Sequence, residues 1–286
     1  CNRQKESLVV MLEEVDIIAR NELEKMLFGE NYPYGWSAKP EDYDKLKLEW
    51  IKEYYEKNIN ASNLKIFVTS NDESNSIKIL NQHFADLQSK TLIESSNNYQ
   101  IQAGDKERII EKPKALQSAI RVAWQLFDRK HENYIDFTML SALLGGYFGS
   151  RLMQNIRQKK GYTYSIYSSV STYKYDGFFE IVSEVNKENK NKVFNEIIKE
   201  VEFLRNNFPS EEELQKMKSY MSGSVLRSLD GVFSYSRSMV TFVTYNMKFD
   251  YYQHYFKKLK SITPQRITEL AQKYLNPDEC YKVIVG

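Results

Sequence analysis

The chain has 286 residues, 42% of them hydrophobic and 14% aromatic, which supplies a packed core and excludes wholesale disorder. Its 40 Lys and Arg nearly cancel 38 Asp and Glu, and a formal charge of +2 argues against a nucleic-acid binder. No run approaches the roughly 18 consecutive apolar residues of a membrane span, and no signal-peptide core is present. The 2 cysteines, Cys1 and Cys280, exclude a disulfide framework and a cysteine-rich zinc site.

From the amino end, residues 3–28 carry apolar positions at helical spacing, among them Leu8, Leu12, Val15, Leu23 and Leu27, with Gly29 as the stop. An amphipathic helix directly after Cys1 disfavours a lipid tether there. A turn-rich stretch, Asn31-Tyr32-Pro33-Tyr34-Gly35-Trp36, leads to a second helix over 41–58. Its stripe of Tyr43, Leu46, Trp50 and Tyr54 is expected to be core. Residues 64–68 read as a strand and 74–87 as a helix. The polar segment 88–106, with Ser95-Ser96-Asn97-Asn98 at its centre, is the expected linker.

Beyond it, 108–111 and 117–127 read as strands, the second partly alternating. A helix over 134–144 runs into Gly145-Gly146-Tyr147-Phe148-Gly149. A short helix over 150–159 is followed by paired strands at 163–171 and 177–185. Helices fill most of 187–275, with starts at Ser210-Glu211-Glu212-Glu213 and Thr263-Pro264, and 281–285 is a last strand. Strands interrupted by helix pairs predict an α+β fold, with helices packed on a mostly antiparallel sheet.

Three segments carry a family resemblance. Leu8 to Val15 followed by Asn31-Tyr32-Pro33-Tyr34-Gly35 is the first, and residues 58–69 are the second. Most specific is Leu143-Leu144-Gly145-Gly146-Tyr147-Phe148-Gly149-Ser150-Arg151-Leu152 with Ile156-Arg157-Gln158-Lys159-Lys160-Gly161-Tyr162-Thr163-Tyr164-Ser165. Together they resemble the carboxyl-terminal part of the M16 (insulinase, pitrilysin-like) zinc metallopeptidases. That resemblance implies M16/LuxS-like lobes: residues 1–87 as the end of a first lobe, 88–106 as a linker, and 107–286 as a complete second lobe that holds substrate.

The chemistry implied is peptide-bond hydrolysis, and here the sequence falls short. A zincin-type helix needs two histidines one turn apart and a glutamate that activates water; M16 enzymes carry this as His-x-x-Glu-His. The chain has 3 histidines, His83, His131 and His254, and no two lie within a helical turn. Glu14 aligns with the family's third zinc ligand, beside Glu13. It reads equally as the acidic face of an amphipathic helix. One carboxylate does not make a site, so Zn2+ is implied for the family and is not expected on this chain alone.

Arg157 and Tyr164 match the arginine and tyrosine with which the family's second lobe faces the metal and holds the substrate backbone. A guanidinium fork suits peptide carbonyls, and a phenol can donate to developing oxyanion charge. Read without the resemblance, Arg157 is a solvated cation at a helix end and Tyr164 a sheet residue. Gly145-Gly146 is not a phosphate loop, because no Gly-Lys-Ser/Thr follows and the helix comes before the glycines. Close helix-to-helix packing is expected there, with Ser150 capping the short helix.

Residues 1–87 show helices and only one convincing strand, so the apolar faces around Leu12 and Trp50 are expected to lack cover. The start at Cys1, at the edge of a predicted helix, is expected to mark a piece of a longer peptidase. The alternative is a non-catalytic M16-like subunit or scaffold that binds peptides or a catalytic partner. The partners implied are a peptide substrate and either a preceding segment or another M16-type subunit in a homo- or heterodimer. Neither nucleic acid nor a membrane span is expected.

Overall fold

Residues 1–90, 100–248 and 250–286 are described by the computed structural model of the chain. The first segment folds as α1 (Asn2–Met11), α2 (Val15–Phe28), α3 (Pro40–Lys45), α4 (Leu48–Asn58) and α5 (Glu73–Phe84). Then come β1 (Glu107–Ile110), β2 (Gln117–Leu126), α6 (Tyr134–Ser141), β3 (Thr163–Thr172) and β4 (Gly177–Asn186). The chain ends with α7 (Lys190–Asn206), α8 (Glu211–Leu229), α9 (Val232–Thr244), α10 (Tyr251–Ser261), α11 (Pro264–Tyr274) and β5 (Tyr281–Val285).

The five strands form one sheet in the order β1-β5-β2-β4-β3. Only the β1–β5 pair is parallel; the other three are antiparallel, so the α+β reading describes the fold. Alternation along the strands sorts the core into two layers. Ile120, Val122, Trp124, Phe179, Ile181 and Ile284 point to one face, beneath α6, α7, α8, α10 and α11. Ala119, Ala123, Phe178, Val283 and Val285 point to the other, where Ala19, Leu23, Met26 and Leu27 of α2 cover them. The small Ala119 and Ala123 let that helix lie close to the sheet.

Several expectations are corrected. The single helix over 3–28 is two, because Glu14 is extended (φ −73°, ψ 123°). Tertiary contacts override local periodicity there. Glu13 pairs with Lys112 at 3.0 Å, and Asp16 reaches Arg121 on β2 at 2.7 Å. The helix over 41–58 is also two, parted at Leu46 and Lys47, which are both extended.

The stripe expected in the core is not buried: Leu46 is 45% exposed, Trp50 50% and Tyr54 69%. Among the described residues nothing covers that face. Residues 64–68, expected as a strand, are not one: no described strand pairs with them, and they join no sheet among the described residues. The linker expected over 88–106 lies partly, at 91–99, outside the described residues. Its last part is tied to α2, with Gly104 N–H donating to Met26 O at 2.8 Å.

Candidate functional site

Two widened helical turns flank the glycine-rich signature, at Ala142–Gly146 and Met153–Lys159. Their bonds reach one residue further than in an α-helix, as when Lys160 N–H donates to Asn155 O at 3.1 Å, a pattern frequent at functional sites. Gly145 is required by a close approach to β3, and not to another helix as the sequence suggested. A Cβ there would stand 2.7 Å from the backbone nitrogen of Ser168. The expected Ser150 cap is not made either. Its buried hydroxyl has no partner among the described residues, and only its carbonyl engages the helix, accepting from Gln154 N–H at 2.9 Å.

The helix that carries Arg157 is bolted to α7 by polar contacts. Asn155 Nδ2 donates to Glu200 Oε1 at 2.9 Å, and Lys160 pairs with Glu196. The hydrogen bond from Lys160 is the main reason the Glu196 carboxyl is held down to about 2, with Lys199 and Asn155 adding to it. Burial acts in the opposite sense on Glu200 and raises its carboxyl. Arg157 points away from this network. Its guanidinium lies 5.2 Å over the ring of Phe148 and forms no ion pair among the described residues. The ring fixes the cation while leaving donors free.

Gly161, in the left-handed region at φ +64°, turns the chain from this helix into β3. There the β3–β4 register slips: Thr163 faces Val185 and Ser165 faces Glu184, so Tyr164 is the extra residue of a β-bulge. Tyr164 is accordingly 81% exposed at the start of an otherwise ordered strand. Arg157, Gly161, Tyr162, Thr163, Tyr164 and Glu184 line one cleft of about 260 Å³. The structure therefore brings together the arginine and tyrosine singled out in the sequence. In the sequence, Phe148, the platform under Arg157, is only one letter of the glycine signature; an aromatic pair between glycines is the signal it offers there.

Glu14 is elsewhere. It caps the start of α2 without a side-chain bond, on the sheet face opposite the Arg157 helix. His83 lies on α5 and His254 on α10. His131 stacks on Phe127 at 4.0 Å, its Nδ1 accepting from Asn133 N–H. Among the described residues no group of three or more His, Cys, Asp or Glu is placed to hold a metal. The donor set present does not fit a zinc ion.

A sequence profile described as "Peptidase M16 inactive domain" matches residues 45–221, well over half the chain. The chain belongs to that family. Among M16 relatives, it is 18% identical over 252 residues to "Probable inactive metalloprotease YmfF" of Bacillus subtilis (strain 168), covering 88% of this chain and 58% of that protein. It is 28% identical over 124 residues to "Uncharacterized zinc protease YmxG" of the same organism, covering 43% of this chain and 30% of that protein. The crystal structure of a peptidase M16 inactive domain from Pseudomonas fluorescens superposes with a TM-score of 0.84 at 22% identity, over 100% of this chain and 69% of that one. This M16 chain thus has the fold of that domain, and it spans 58% of the length of YmfF.

Proposed function

We propose that this chain is the substrate-holding part of a zinc-dependent M16 metallopeptidase acting on peptides or unfolded proteins. One observation carries the reading: Arg157 and Tyr164 line the same cleft, the guanidinium in no ion pair among the described residues and the phenol exposed. Arg157 donates its planar fork to carbonyl oxygens of an extended peptide, and the Tyr164 hydroxyl donates to a further one. Phe148 holds Arg157 in place, so less side-chain freedom is lost on binding. Hydrolysis is assigned to a lobe bearing His-x-x-Glu-His outside these residues, since the donors here do not fit zinc. The division into 1–87, 88–106 and 107–286 belongs to the same proposal, with α2 anchoring the first segment to the sheet of the second lobe.

The test uses an assembly that contains the metal-bearing lobe and a fluorescein-labelled unfolded protein as substrate. Arg157→Ala and Tyr164→Phe are expected to lower turnover while bound zinc stays constant. Loss of zinc in either variant, or unchanged turnover in both, refutes the role.

A second reading, a non-catalytic M16 subunit that binds peptides or a catalytic partner, is favoured because, among the described residues, Glu14 belongs to no group of three or more His, Cys, Asp or Glu able to hold a metal. Absence of peptidase activity from every assembly the chain forms selects it. Under both readings the chain alone, after dialysis, is expected to hold substoichiometric zinc and to cut nothing. One tightly bound zinc per chain by metal analysis overturns that expectation.

A further inference from the structure

The bulge that exposes Tyr164 is fastened from inside the sheet. In an unbroken strand Thr163 and Ile166 fall on opposite faces. Here both are buried on the helix-covered side, while Tyr164 and Ser165 between them face out. An extra residue in a strand leaves backbone groups out of register, and each needs another partner. Two buried hydroxyls supply those partners. Thr163 Oγ1 lies 2.6 Å from Glu184 O, to which it donates, and accepts from Ser165 N–H at 3.1 Å. Ser183 Oγ, on β4, donates to Ser165 O at 2.9 Å and lies 3.0 Å from Thr163 Oγ1. Thr163 Oγ1 also lies 2.8 Å from Ser165 O. With the Thr163 hydrogen on Glu184 O and the Ser183 hydrogen on Ser165 O, each is used once and both carbonyls are satisfied.

We propose that Thr163 and Ser183 are positioning residues that fix the bulge and so hold the Tyr164 phenol at the mouth of the cleft beside Arg157. The role assigned to the phenol rests on the peptide-holding reading above; the clamp itself does not. Thr163→Val and Ser183→Ala delete one hydroxyl each and leave nearby carbonyls without a donor, so the extra residue is free to migrate along β3. Thr163→Ser keeps the hydroxyl and is the conservative control.

The experiment has two readouts on the whole chain. With 3-fluorotyrosine at position 164, the unmutated chain and Thr163→Ser are expected to give one sharp fluorine line. Ser183→Ala and Thr163→Val broaden or split it. Binding of fluorescein-labelled, reduced and carboxymethylated α-lactalbumin is read by anisotropy. Thr163→Val is expected to raise Kd about fivefold or more, as Tyr164→Phe does, with the double variant no weaker than either single one. Fluorine lines unchanged in both Ser183→Ala and Thr163→Val overturn the clamp, and so do losses that add in the double variant. If Tyr164→Phe leaves Kd unchanged, the peptide-holding reading falls and the fluorine lines still decide the clamp.

Discussion

Arg121 is a cation in the sheet with almost no access to water. It holds Glu180 on β4 at 2.5 Å and Asp16 on α2 at 2.7 Å, and so ties the first segment to the second. Burial raises the Glu180 carboxyl, and the Arg121 charge is the main opposing influence. Arg121→Ala removes that charge and is expected to cost about 3–5 kcal/mol at pH 7, because two carboxylates lose their counter-ion. Urea unfolding measures it. The gap from the unmutated chain should narrow toward acid pH, where a protonated Glu180 no longer needs a cation. Glu196 is shifted the other way, held down rather than raised, yet its contribution too is lost toward acid pH. Its folded carboxyl sits at about 2 against an ordinary 4.5, so its contribution is complete above about 4.5 and is lost as pH falls toward 2. Glu196→Gln is therefore expected to cost about 1–2 kcal/mol at neutral pH and nothing near pH 2. A gap that stays constant with pH contradicts the assignment.

At the scale of elements, α2 decides whether the far face of the sheet is dry. Leu23 and Leu27 are fully buried there against Ala119, Ala123 and Val285. Leu23→Ala is expected to destabilise the chain by about 2–5 kcal/mol, read from the urea midpoint. A cost below 1 kcal/mol would mean that α2 is not seated as described. The same elements show what was legible beforehand. Strands β2 and β4 were readable because both bury an apolar row on the helix-covered face, and the helices after residue 187 announced themselves by caps such as Ser210 with Glu213. The cleft was readable through Arg157 and Tyr164 because the signature around them is dense. The break before α2 was not, because it is made by Asp16 meeting Arg121 across more than a hundred residues of sequence. Nor was the bulge, which depends on Ser183 on the neighbouring strand. The stripe through Trp50 has core periodicity, but periodicity says only which face is apolar, not whether anything covers it.

Across the whole molecule, apolar exposure is uneven. Trp50, Ile51, Tyr54 and Tyr55 of α4 are exposed, as are Ile66, Phe67 and Val68, which no strand pairs with among the described residues. Unpaired backbone with apolar side chains is a template for another strand. The isolated chain is therefore expected to self-associate with rising concentration in sedimentation velocity, and Phe67→Lys should reduce it. A monomer at every concentration would contradict the view that this face needs a partner. The cleft at Arg157 and Tyr164, by contrast, is built from parts present in this chain. Its use is tested most directly by anisotropy of a fluorescein-labelled unfolded protein with the unmutated chain and Arg157→Ala. Loss of the charge-assisted bonds of one guanidinium is expected to raise Kd about tenfold or more. An unchanged Kd would show that the cleft does not hold peptide.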